Sequence, residues 1–159
     1  ELFLFITNIY FFSLVMKKKI GKSVIYKFNT REELAKKLLE FVLVNEARSY
    51  ERWKDEFKLL YKQGRVVLFY GSASRDYAHA RDIDIMIIFE EKDMQEINNK
   101  LETIQSLLPK KLHAIKATKS DFVRNIKNKN EAMIEIIKTG IVLFGYDTYV
   151  EVLNEFAGF

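Results

Sequence analysis

Two aspartates with one residue between them, Asp82 and Asp84, open the apolar run Ile85 to Ile88. Nine residues separate them from Gly71-Ser72, which closes an earlier apolar run, Val66 to Tyr70. Alternate side chains of a strand share a face, so Asp82 and Asp84 point one way while Ile83 and Ile85 point the other. Two carboxylates held roughly 7 Å apart on one strand repel each other unless a cation lies between them. A magnesium ion held by one or two carboxylates and by substrate phosphates meets that demand. Acids at the start of a strand can also be simply solvated at a sheet edge.

The elements that must position these residues follow from periodicity and punctuation. Residues 66–70 and 82–89 read as buried strands, and Ser23 to Phe28 as a short strand. Thr30 and Glu33 have capping-box spacing. Leu34, Leu38 and Val42, then Trp53, Phe57 and Leu60, recur at helical spacing, predicting one long or two shorter helices over 31–62, ended by Gly64. Asp93 and Glu96 are spaced to cap a helix carrying Met94, Ile97, Leu101, Ile104 and Leu108, which stops at Pro109. Lys111 to Ala117 alternates as a strand, and Thr118-x-x-Asp121 starts a helix to about 127. Glu131 to Thr139 is a helix closed by Gly140, Ile141 to Phe144 a strand, and Asp147 to Phe156 a helix. Strands alternating with helices predict an α/β or α+β fold with a small mixed β-sheet flanked by helices.

The chain has 159 residues, 48% hydrophobic and 30% charged, which excludes a disordered chain or an integral membrane protein as a whole. Its net charge of +4 mildly favours anionic partners, nucleotides or RNA, without indicating nucleic-acid binding. Cysteine is absent, so disulfides, thiolate nucleophiles and cysteine zinc sites are excluded, and a cytoplasmic location is expected. Leu2 to Val15 is almost wholly apolar and precedes Met16-Lys17-Lys18-Lys19. Residues 1–15 read as an upstream extension of a frame starting at Met16, with a membrane-surface anchor or a core segment as alternatives. Residues 16–159 read as one domain with an N-terminal helical element over about 30–63.

Gly71-Ser72 at a strand end, with Asp82-x-Asp84 heading the next strand, resembles the polymerase-β-like nucleotidyltransferases, in particular their minimal single-domain members. Arg75-Asp76-Tyr77 resembles the Arg-Gly-Asp-Tyr common after the Gly-Ser of that group, and Ile137 to Gly145 resembles its closing helix-Gly-strand signature. The resemblance covers roughly residues 64–146. It implies transfer of a nucleoside monophosphate, AMP from ATP, to a hydroxyl of a protein or small molecule. Asp82 and Asp84 would be the catalytic residues and the ligands of Mg²⁺ or Mn²⁺. Gly71 would let the backbone approach the triphosphate, and Ser72 with the start of a short helix after the turn would hold phosphate oxygens. Arg75 and Arg81 are candidate phosphate contacts, or ordinary surface arginines. Minimal members often pair with a small helical partner protein in toxin–antitoxin modules and can adenylylate it. A homo-oligomer is left open, and no membrane association is expected.

The sequence departs from that pattern in two places. Arg81 stands where the family usually has Ser before the first aspartate, and a glycine is missing after Arg75. Active members also carry a third carboxylate on a later strand, where this chain has Leu112-His113-Ala114-Ile115. His113 falls on or near that position, either as a ligand or proton acceptor or as a solvent-facing strand histidine. The alternative function is therefore a catalytically inactive member that binds nucleotide or a partner. His79 and His113, the only histidines, are too far apart in sequence to read as a metal motif, and no Walker loop or dinucleotide fingerprint is present. Lys110-Lys111 reads as a solvated pair that could guide an RNA or protein acceptor.

Overall fold

Four strands form the sheet that carries the site. The computed structural model describes residues 14–156. A hairpin comes first, with β1 (Val15–Ile20) antiparallel to β2 (Ser23–Phe28). Helix α1 (Glu33–Ala47) and α2 (Glu51–Phe57) follow, each continued by a 3-10 turn. The chain then runs through β3 (Val66–Tyr70), β4 (Asp82–Phe89), α3 (Met94–Leu107), β5 (Lys111–Thr118), α4 (Lys119–Lys127), α5 (Glu131–Thr139), β6 (Ile141–Phe144) and α6 (Tyr146–Phe156). The sheet order is β5-β4-β3-β6; β4 and β5 run parallel, and the other two pairings are antiparallel. This is the small mixed sheet flanked by helices that the sequence predicts.

Strand alternation divides the core in two. Val67, Phe69, Ile83, Ile85, Ile87 and Phe89 pack on one face with Trp53, Phe57, Leu60, Ile97 and Ile104. Val66, Leu68, Met86 and Ile88 pack on the other with Phe122, Ile126, Met133, Ile136 and Tyr149. Both faces of β3 and β4 are covered, which is why these strands read as continuous apolar runs. The polar exceptions sit where cover ends: Asp82 and Asp84 share the face of Met86 and Ile88 but lie at the open start of β4.

Four local expectations are corrected. Leu34, Leu38 and Val42 are exposed; α1 instead turns Ala35, Leu43 and Ala47 inward, one position later in the helical repeat. Thr30 is not the N-cap, because α1 starts after Glu32, and the Thr30 hydroxyl bonds to Asn154 of α6. Asp93 precedes α3 without a side-chain cap bond, its carboxylate taken by Lys62 and Arg65. Strand β1 is unanticipated: Val15 pairs with Phe28, and the Asn29 N–H donates to the Leu14 carbonyl. Residues 1–13, which carry most of the expected upstream extension, lie outside the described residues.

Gly64 lies in a turn beyond the 3-10 end at Leu60 and does not close the helix, the Thr118 cap is as the sequence predicts, and the Asn130 cap is a further one. Thr118 accepts from the Asp121 N–H at 3.1 Å while its hydroxyl donates to the Asp121 carboxylate at 2.8 Å, and Asn130 caps α5. Among the described residues no helix is long and apolar enough to cross a membrane.

Candidate metal and nucleotide site

The register of two strand pairs assembles the site. Antiparallel pairing sets Tyr70, the last residue of β3, opposite Asp84, and parallel pairing sets His113 of β5 beside Asp84 on its other flank. His113 Nδ1 lies 3.3 Å from Asp82 Oδ2 and 3.5 Å from Asp84 Oδ1. One ligand atom from each of the three residues falls within 4.8 Å of the others. Sequence spacing conceals this cluster, since 28 residues separate Asp84 from its lateral neighbour.

The electrostatics follow from that crowding. The Asp84 carboxyl is pushed above the usual carboxylate range, first by burial and then by the Asp82 charge, with His113 opposing both. Tyr70 is half-buried, and burial, then Asp84 and Asp82, push its phenol up to about 12. It therefore stays a neutral hydroxyl at physiological pH. A divalent cation would relieve the repulsion between the carboxylates, and two oxygens and one nitrogen suit such an ion.

Gly71 closes the site from below. Its φ is +77°, and a Cβ there would lie 2.3 Å from Asp84 Oδ2, so only glycine leaves that carboxylate its place. Ser72 is exposed directly after it, and its carbonyl accepts from the Arg75 and Asp76 N–H groups at 3.1 and 2.9 Å. The segment after Ser72 is thus a series of hydrogen-bonded turns, and not the short helix expected from the resemblance.

The two candidate arginines separate. Arg75 lines a pocket of about 310 Å³ with Tyr70, Gly71 and Ile115, opposite Ala132, Glu135, Ile136 and Thr139 of α5. Arg81 is exposed beside Asp82, outside that pocket. Tyr70, Glu135 and Thr139 were not singled out from the sequence. Tyr70 reads there as the end of an apolar strand, and the α5 residues reach the site only through tertiary packing.

Lys110 is not a solvated pair-mate of Lys111. Its ammonium donates to the carbonyls of Tyr77 and Ala80 and lies 4.2 Å from the centre of the Tyr77 ring. His79 stays apart from the acid cluster, its Nδ1 2.6 Å from Asp76.

The family model described as "Polymerase beta, Nucleotidyltransferase" matches residues 58–149, more than half of the chain, from the turn before β3 into α6. A search among curated proteins found no match.

Proposed function

The chain belongs to the polymerase beta nucleotidyltransferase family, and on that premise we propose that it moves AMP from ATP to a hydroxyl acceptor, using a divalent metal ion. The observation that carries this reading is the convergence of Asp82, Asp84 and His113 beside a glycine turn that leaves the Asp84 carboxylate its place.

Asp82 and Asp84 would hold the ion, with His113 beside them, and a bound ion would supply positive charge against the negative charge that develops around the α-phosphate. Gly71 brings the backbone close to the triphosphate, and the Ser72 hydroxyl and Arg75 bind phosphate oxygens. Arg81, exposed at the entrance to β4, provides a further phosphate contact. The acceptor hydroxyl oxygen forms a bond to the α-phosphorus, the bond to the bridging oxygen breaks, pyrophosphate leaves, and the proton passes to solvent. Positioning and electrostatics supply most of the rate, since the protein forms no covalent bond in this scheme. The acceptor we favour is a hydroxyl on a small helical partner protein, in a toxin–antitoxin arrangement within the cytoplasm. That choice follows the resemblance to minimal nucleotidyltransferases.

Calorimetric titration with ATP, with and without Mg²⁺, tests the site in the wild type and in an Asp82→Asn/Asp84→Asn variant. Metal-dependent binding that the variant loses is the expected result; equal binding by both would remove these residues from the site. ATP labelled at the α-phosphate then tests transfer. A second reading, nucleotide or partner binding without turnover, is favoured by one feature: the chain has an imidazole on or near the position where the family pattern places a third carboxylate. Metal-dependent binding without transfer of label would select it.

A further inference from the structure

We propose that His113 is a direct metal ligand and shifts this site toward first-row divalent transition ions, manganese among them, and away from magnesium. This rests on the reading that Asp82 and Asp84 hold an ion.

Position supports it first. Neighbouring ligands on an ion with bonds of about 2.1 Å lie about 3 Å apart. His113 Nδ1 stands 3.3 and 3.5 Å from one oxygen of each aspartate, close to that spacing, and the three ligand atoms all lie within 4.8 Å of one another. The backbone imposes this arrangement, because parallel pairing seats His113 directly beside Asp84. The other histidine, His79, is engaged with Asp76 and lies outside the cluster.

Chemistry supports it second. Magnesium takes oxygen ligands, gives up water reluctantly and gains little from an imidazole. Transition ions accept nitrogen readily, with affinity rising along the series from manganese to copper. Replacing a carboxylate by a neutral ring also removes one negative charge from the site, which weakens the purely electrostatic hold that magnesium depends on. Two carboxylates and one imidazole therefore favour the softer ions.

Pulsed electron paramagnetic resonance of Mn²⁺ bound to the full chain tests the ligand without reference to activity. Nitrogen-14 modulation from a bound imidazole is expected in the wild type and its loss in His113→Asp. Competition of Mg²⁺ against Mn²⁺ tests selectivity: the preference for Mn²⁺ should fall in His113→Asp, though by less than that for later ions of the series, which bind nitrogen more strongly. Circular dichroism confirms that the variant is folded, and the wild-type spectrum decides the ligand even if it is not. Mn²⁺ that binds through Asp82 and Asp84 without nitrogen modulation, or an unchanged Mn²⁺/Mg²⁺ ratio, overturns the role of His113 and leaves the carboxylate site standing. Failure of both ions to bind, or binding unaffected by Asp82→Asn/Asp84→Asn, overturns both.

Discussion

Lys110 donates a hydrogen bond to the Ala80 carbonyl oxygen 2.6 Å away, tying the residue just before β5 to the segment that leads into Asp82. The same ammonium reaches the Tyr77 carbonyl and lies over the Tyr77 ring, which meets Trp53 edge-on at 5.3 Å. The loop from Gly71 to Arg81 contains no regular helix or strand, so this cation does for it what a hydrogen-bonded ladder does for a strand.

Lys110→Met should therefore loosen the approach to Asp82. Charge-assisted hydrogen bonds contribute about 1.5–3 kcal/mol each, and the variant leaves two partly buried carbonyls without their donor. The expected result is faster hydrogen exchange at the Ala78, His79 and Ala80 amides, which Asp76 now holds, with a lower affinity for metal and ATP. Lys110→Arg should recover part of the protection. Unchanged exchange in Lys110→Met would show that Asp76 and the Tyr77 packing are enough.

Gly71→Ala isolates the close approach beneath Asp84. A non-glycine residue at φ near +77° costs about 1–2 kcal/mol. The added methyl also overlaps Asp84 Oδ2, the movable end of a side chain, so the carboxylate swings aside and the fold survives. Mild destabilisation in a thermal melt, with metal binding reduced nearly as far as in Asp84→Asn, is the expected pair of results. Full metal affinity in Gly71→Ala would mean that Asp84 binds from another rotamer.

The parts of this fold legible in the sequence are those governed by short-range physics. Val66 to Tyr70 and Asp82 to Phe89 announce themselves as strands because both faces are buried. Thr118, Pro109 and Gly140 mark helix ends through local chemistry. What was hidden depends on partners distant in the chain. Leu34, Leu38 and Val42 have the same spacing as the inward set beginning at Ala35, and only α6 and β6 decide which face turns inward. Asp93 carries a capping signal, but the guanidinium of Arg65 competes for it and wins. The site divides in the same way. Gly71, Asp82 and Asp84 follow from one strand-turn-strand and His113 from the resemblance alone, whereas its distances to both acids require the parallel β4–β5 pairing, and the pocket beside Tyr70 requires the docking of α5.

The ion-pair cluster that anchors α3 to the start of β3 gives the chain an acid-sensitive joint. Arg65 is almost fully buried and bonds to Asp93 and Glu96 at 3.2 Å each and to the Leu60 carbonyl at 3.1 Å. Lys100, Lys62 and Arg65, in that order, hold the Glu96 carboxyl down to about 2, against an ordinary value of 4.5. A carboxyl lowered by folding stabilises the native state fully above its unfolded pKa, and that contribution is lost as pH falls toward the folded value. The window for Glu96 is therefore between about 4.5 and about 2. Its side chain is about a third exposed, so solvent screening makes the gain modest and sensitive to salt. Urea denaturation at about pH 6 and about pH 3 should show wild type losing more stability between the two than Glu96→Gln does, with the gap narrowing in high salt. Arg65→Met should be the more damaging change at neutral pH, by about 3 kcal/mol, because it leaves the buried Asp93 facing Lys62 alone. A Glu96→Gln protein that matches wild type at both pH values would mean that the bonds from Lys62 and Lys100 contribute nothing to folding.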